Sequence, residues 1–333
     1  MEIGTYLTGA FGQSQELYKA RNELKRDRGD KKIAEKKVEE ILLSETKKVI
    51  SLQEESSLNF IIDPMFKFFY LFQPFVENFP GVEEGSQENW FNNNVFYRRP
   101  KFNSLLAKKI GFTSPYLYLD IIPKKSSMAI LPSPYSLLML SDPTNCELYN
   151  KKELIENFSF IVRSEAEHLV SEGIKRIQYD EPAIVVKNSL NSLTDYDLEL
   201  LNRSMEICGK INNATTSLHT YFGDANGIIP YLINLNVDCI GIDCIETPLN
   251  EILKNEFHNK EIALGLVDSR STYLEDPKEL AKNLEKIAEK FQPDKLYLTP
   301  NTATEYRGYT NAISKLKILR EAKEIFNMNN KNL

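Results

Sequence analysis

The 333-residue sequence holds four cysteines, Cys146, Cys208, Cys239 and Cys244, and no two of them form a CxxC pair. Neither a zinc ribbon nor a disulfide framework is therefore expected. Basic charge is not in excess. The formal net charge of −6 argues against a broad nucleic-acid footprint. No stretch of 18 apolar residues occurs, and no charged-then-apolar leader opens the sequence, so no membrane span is expected and the cytoplasm is the expected address. Internal repeats and low-complexity linkers are lacking too. The first turn, Thr8–Ser14, has two glycines but not the GxGxxG spacing that a dinucleotide-binding open sheet would show.

What is present is an alternation of short β-rich runs with longer amphipathic segments. Strand candidates are Ile3–Thr8, Leu58–Asp63, Met128–Pro132, Ile174–Asp180, Thr215–Tyr221, Asp238–Asp243, Ile262–Asp268 and Lys295–Thr299. Helical spacing follows most of them, as in Lys151–Ser171, Thr194–Ile211, Pro277–Phe291 and Thr310–Phe326. Eight β-then-α units predict an α/β fold, a (β/α)8 TIM barrel, as one domain over residues 1–333. Two insertions interrupt it. Residues 31–55 read as a long charged helix packed by a stripe of Ile33, Val38, Ile41, Leu42, Val49 and Leu52. Residues 77–122 read as a hairpin-like excursion after strand two, placed to cover the barrel mouth.

Barrel chemistry sits at the carboxyl ends of the strands. Those ends carry Asp63, Ser133, Asp180, Glu181, His219, Tyr221, Asp243, Asp268, Asn301 and Thr302. Any one of them can serve as a turn former or helix cap. Together they predict an acidic mouth suited to a small molecule with an amine or other N–H donors. The pair Asp180–Glu181 ends a strand that Pro182 stops at once, and such a pair can bind an amino group or share a proton. His219 and Asp243 could meet across neighbouring strands, so zinc is a minor alternative there. Cys239 lies about 13 Å below the rim at ~3.3 Å per residue, and Cys244 faces away from Asp243 by strand alternation.

These residues resemble the cobalamin-independent methionine synthases, a family built from two related barrels. "IQYDEPAIV" resembles the family's "QIDEPAL" strand end, and "YLTGAFGQSQELYKARNELKR" its opening strand, turn and helix. "GLVDSRSTYLEDPKELAKNLEKI" resembles its seventh unit. The resemblance implies methyl transfer to homocysteine. In the family's catalytic barrel a zinc ion, held by His-x-Cys, Glu and Cys, activates the thiol. At the matching positions this sequence has His219, Tyr221, Asp243 and Thr302. The family's proton-donating histidine falls on Arg270, and the serine of its "IGS" turn on Ala10. The resemblance therefore implies a degenerate metal site, with no metal or cofactor expected.

"HTYFGD", "WFNNNVFYRRPKF" and Arg270 resemble instead the family's zinc-free N-terminal barrel. That barrel's "RELKK" stretch binds the folate tail, and the matching "QELYK" keeps one basic residue, Lys19, with Arg21 beyond it. The implied role is a stand-alone zinc-free half that docks on a separately encoded zinc-bearing barrel and holds a methyl-tetrahydropterin or folate donor. Asp180, Glu181, His219 and Asp243 are the candidate reactive groups. Lys19, Asp180, Tyr221, Asp268 and Arg270 are the candidate substrate contacts. Two alternatives stay open: a self-sufficient homocysteine methyltransferase using another donor such as a methyl-corrinoid, and a non-enzymatic ligand-binding barrel.

Overall fold

The structure is a computed structural model that describes residues 3–26, 31–91, 95–143, 150–257, 259–291, 293 and 295–330. Cys146 and Asn92–Asn94 lie outside the described residues. Eight parallel strands form one curled sheet: β1 (Gly4–Thr5), β2 (Ile61–Ile62), β5 (Ser127–Pro132), β6 (Arg176–Asp180), β7 (Thr215–Thr220), β8 (Cys239–Asp243), β9 (Glu261–Val267) and β10 (Leu296–Pro300). Their order is β1-β10-β9-β8-β7-β6-β5-β2, the sequential neighbouring of a TIM barrel. Each lies within the span expected from sequence or within a residue of it. Helices Lys151–Ser171 and Pro277–Phe291 match their expected bounds. Among the described residues no helix is long and apolar enough to cross a membrane.

The strands are buried on both faces. β5, "SMAILP", has no exposed position, which is why it reads as a continuous apolar run rather than an alternation. Between β1 and β2 the ring is joined by the Asn59 N–H donating to Thr5 O at 2.8 Å and the Thr5 N–H donating to Asn59 Oδ1 at 3.0 Å. The first insertion is the helix Lys31–Glu55, whose Val38, Leu42 and Val49 are buried, whereas Ile33 leaves the stripe and is 69% exposed. Its Gln53 pairs with β2 like a strand neighbour. Nε2 donates to Ile62 O at 2.9 Å, and Oε1 accepts from Ile62 N at 3.0 Å. This satisfies backbone groups that a two-residue strand would otherwise leave unmet.

The second insertion holds an antiparallel hairpin, β3 (Val82–Asn89) with β4 (Phe96–Phe102), pairing Val82 with Phe102 and Asn89 with Phe96. Tyr116–Ile122 does not extend it; this stretch forms short 3₁₀ turns at Ser114–Tyr116 and Leu119–Ile121. Helix starts are fixed by capping boxes at Asn150/Glu153 and Thr194/Asp197.

The barrel floor is closed by a cation. Arg176, fully buried, lies 5.1, 5.0 and 4.8 Å from the ring centres of Tyr6, Phe60 and Tyr297 and pairs with Glu261 at 2.9 Å. A desolvated guanidinium is tolerable there because it has both an anion and three ring faces.

Candidate functional site

At the opposite, carboxyl-terminal face a cavity of about 70 Å³ opens between the strand ends and the hairpin. Asp180, Tyr221, Thr302, Glu305 and Tyr306 line its barrel side, and Phe68, Phe69, Tyr70, Trp90, Phe96 and Tyr97 its outer wall. The hairpin reaches the barrel rim through rings. Trp90 meets Phe91 at 5.2 Å, Phe91 meets Phe222 at 5.6 Å, and Phe222 meets Tyr306 at 5.9 Å.

Register places Asp180 beside His219, and His219 beside Gly241. Asp180 Oδ1 accepts from Gln178 Nε2 at 2.7 Å and Oδ2 from the Tyr221 hydroxyl at 3.1 Å. Burial pushes its carboxyl up to about 7, against the lowering effect of these two hydrogen bonds. Tyr221 is pushed upward by burial and then by the Asp180 charge, so it stays a protonated donor.

Glu181 turns the other way. Its oxygens accept from the hydroxyl of Ser133, from Ser136 Oγ at 2.8 Å, from Ser136 N at 3.2 Å and from Ile184 N at 2.9 Å. It caps the helix Pro182–Ser189 and ties β5's exit to β6's. Its carboxyl too is raised by burial to about 7. The two neighbouring acids thus split into one at the cavity and one inside the wall.

His219 is fully buried. Its Nε2 lies 3.0 Å from Asn301 O, and a carbonyl only accepts, so Nε2 carries the proton. Nδ1 keeps the lone pair and has no hydrogen-bond partner among the described residues. It faces the chain at Gly241, where an added Cβ would lie 2.0 Å away. Burial holds the imidazole down at about 4 and hence neutral. Gly241→Ala should therefore displace the ring and cost about 1–3 kcal/mol as an overpacked core does; an unfolding midpoint equal to that of the unchanged chain would refute this packing.

Asp243 is buried. Oδ1 accepts from Ile245 N at 2.9 Å and Oδ2 from Phe222 N at 3.2 Å and Asn301 Nδ2 at 3.3 Å. Burial raises it to about 6 while Arg270 lowers it. Asp63 likewise accepts from Met65 N at 2.7 Å and Tyr118 N at 2.8 Å, as a turn cap does. Arg270 pairs with Glu246 at 2.6 Å and Asp268 at 3.7 Å and covers the Phe222 ring at 5.5 Å. These charges form the rim beyond Phe222. Lys19 is exposed on the outer helix Gln15–Arg26 and does not line the cavity.

These placements test the site's fitness for zinc. A zinc centre needs converging lone pairs. The His219 lone pair points at backbone, the Tyr221 hydroxyl serves Asp180, and the oxygens of Asp243 are met by N–H groups. Thr302 is a weak donor in the last position. The residues present do not fit the ion, and among the described residues no three His, Cys, Asp or Glu side chains gather as metal ligands.

Sequence reasoning missed Glu305 and the strain around the cavity. Met65, Phe91 and Phe222 adopt φ of 58°, 50° and 70°, a left-handed conformation costly for bulky residues and concentrated at functional sites. Glu305 stands in "TATEYRG", a stretch that reads as an ordinary turn, and its acid in a loop gave no signal.

The pattern of the family described as cobalamin-independent synthase, catalytic domain, matches residues 3–324. The chain belongs to that family. Among its relatives, the methionine synthase of Sulfurisphaera tokodaii is 26% identical over 261 residues, 74% of this chain and 73% of that protein. The methionine synthase of Saccharolobus solfataricus is 27% identical over 242 residues, 68% and 69% of the two chains. In fold, the chain is similar to a B12-independent methionine synthase from a Shewanella species in complex with selenomethionine, with TM-score 0.73, 18% identity and 100% of both chains covered. A methyltransferase from Methanosarcina mazei follows at TM-score 0.60 and 12% identity, with 98% of this chain and 94% of that one covered. The matching family pattern is that of the catalytic domain.

Proposed function

We propose that this synthase-family barrel acts in methyl transfer to homocysteine, in methionine biosynthesis, as a zinc-free half that works with a separately encoded zinc-bearing barrel. What supports this reading is the pairing of an acidic cavity at Asp180 with the poor zinc fit of His219, Tyr221, Asp243 and Thr302. Asp180 would accept the amino group of the amino acid. The ring wall of Trp90, Tyr97 and Tyr306 offers a stacking face to a methyl-pterin donor.

A second reading, a self-sufficient methyltransferase with a different donor, is favoured by the complete mutual coverage with a synthase of single-barrel length.

A mixing assay decides between them. The purified chain, with its metal content measured, is supplied with homocysteine and a methyl donor, alone and with a zinc-bearing family barrel. On the first reading methionine forms only, or at least tenfold faster, in the mixture. On the second the chain turns over alone. A partner's rate unchanged by the chain, with no turnover by the chain alone, refutes both.

A further inference from the structure

Among the described residues the cavity lining contains two acids, Asp180 and Glu305, many aromatic rings, and no lysine or arginine. The nearby cations are engaged elsewhere. Arg21 donates to Gln13 Oε1 at 2.8 Å and to Phe66 O, and its guanidinium lies over the Phe69 ring. Arg98 pairs with Glu84 at 3.6 Å, and Arg99 donates to Ser141 O at 2.9 Å. Lys67 pairs with Glu39 at 2.9 Å. Among the described lining residues no charge would pair with a ligand carboxylate or phosphate.

Glu305 is the distinctive group. No hydrogen bond or ion pair to its carboxyl occurs among the described residues, and the partly buried side chain lines the cavity. The buried acids here have donors: Asp180 two, Glu181 four, Asp243 several. A carboxylate without a protein donor, set in a ring-lined cavity, is open to a ligand's positive charge.

The surrounding rings narrow its chemistry. Trp90 stands edge-on to Tyr97 at 5.1 Å and 78°. Ring faces attract cations through their quadrupole, most strongly when desolvated. A primary ammonium would need hydrogen-bond acceptors on all its N–H groups, which rings supply poorly. A methylated cation needs none.

We propose that this cavity binds a methylated onium cation, a quaternary ammonium or a sulfonium, caged by Trp90, Tyr97 and Tyr306 and neutralised by Glu305 and Asp180. This rests on the reading of the cavity as the site of a methyl-transfer protein and goes beyond it by setting a methylated cation, in place of a methyl-pterin, against the ring wall. The cage holds a positive methyl-bearing centre, with the adjoining space at Asp180 left to the amino group of the other reactant.

The test reads binding, so a failure of methyl transfer does not touch it. Calorimetry on the full chain compares choline, trimethylsulfonium and 3,3-dimethyl-1-butanol, the uncharged isostere of choline. The expected result is binding of one or both cations at least tenfold tighter than the isostere. Glu305→Gln should remove most of that preference while leaving the unfolding midpoint unchanged, and Trp90→Phe should weaken both cations. Equal affinities for cation and isostere, or no cation binding at millimolar concentration by folded protein, overturns the proposal. Preference unaltered in both variants overturns the cage as its source. A sulfonium-only or ammonium-only result supports it and identifies the heteroatom.

Discussion

Glu181→Ala will destabilise the chain by about 3–5 kcal/mol, the largest loss expected from any single cavity-region substitution. The carboxyl that disappears accepts from Ser133, from both groups of Ser136 and from the Ile184 amide. Buried donors left unmet cost roughly 1–3 kcal/mol apiece, and the lost helix cap adds about 1 kcal/mol. Glu181→Gln keeps an acceptor and should lose less. Urea unfolding followed by circular dichroism measures both; a loss under about 1 kcal/mol for the alanine variant would mean that Glu181 does not hold the β5 and β6 exits together.

The sign of the pH effect follows from burial. The folded Glu181 carboxyl sits at about 7 against a usual 4.5, so the folded state binds its proton more tightly. Its contribution is fully present below about 4.5 and falls away as pH rises through 7. The glutamine variant should show a flatter stability profile across that window. His219 works in the opposite sense. Its folded value of about 4 lies below the usual 6.5, so stability is gained as pH rises from 4 to 6.5.

Asp180→Asn will weaken binding of an amine or onium ligand by about 100-fold or more, with little change in the unfolding midpoint. Truncating one partner of a buried charge pair costs about 2–5 kcal/mol in affinity. The asparagine can still accept from Gln178 or Tyr221, so the local hydrogen bonds survive in part. Because burial raises Asp180 and Glu305 to about 7 each, affinity for a fixed cation should climb between pH 6 and 8. The groups facing Asp180 are Gln178, Tyr221 and the Glu181 charge, and Tyr306 adjoins Glu305. Asp180→Asn should reduce that climb and leave the share carried by Glu305. Affinity within threefold of the unchanged chain would show that Asp180 does not touch the ligand.

Much of the scaffold was legible from residue patterns because strands buried on both faces, such as "SMAILP", cannot hide among polar segments. The positions of Asp180 and Asp243 at strand ends were legible too, but of the acids expected at the mouth only Asp180 lines the cavity. Which acid meets solvent and which meets backbone was not legible. Asp180 and Glu181 are adjacent in sequence, yet Ser133 and Ser136, some 45 residues earlier, turn Glu181 inward. Glu305 and the left-handed Met65, Phe91 and Phe222 could not be foreseen, since nothing in their local composition departs from ordinary turns. Lys19 was chosen by register with a family stretch. The helix that carries it is positioned by its apolar face, Leu17 and Ala20, which leaves Lys19 outward.

The plug at Arg176 has a kinetic consequence. With one end of the ring stopped by a guanidinium wedged among three rings, the cavity described among these residues is reached from the other end, beneath the hairpin. Two reactants sharing such a vestibule queue: whichever rests deeper, against Asp180, arrives first and departs last.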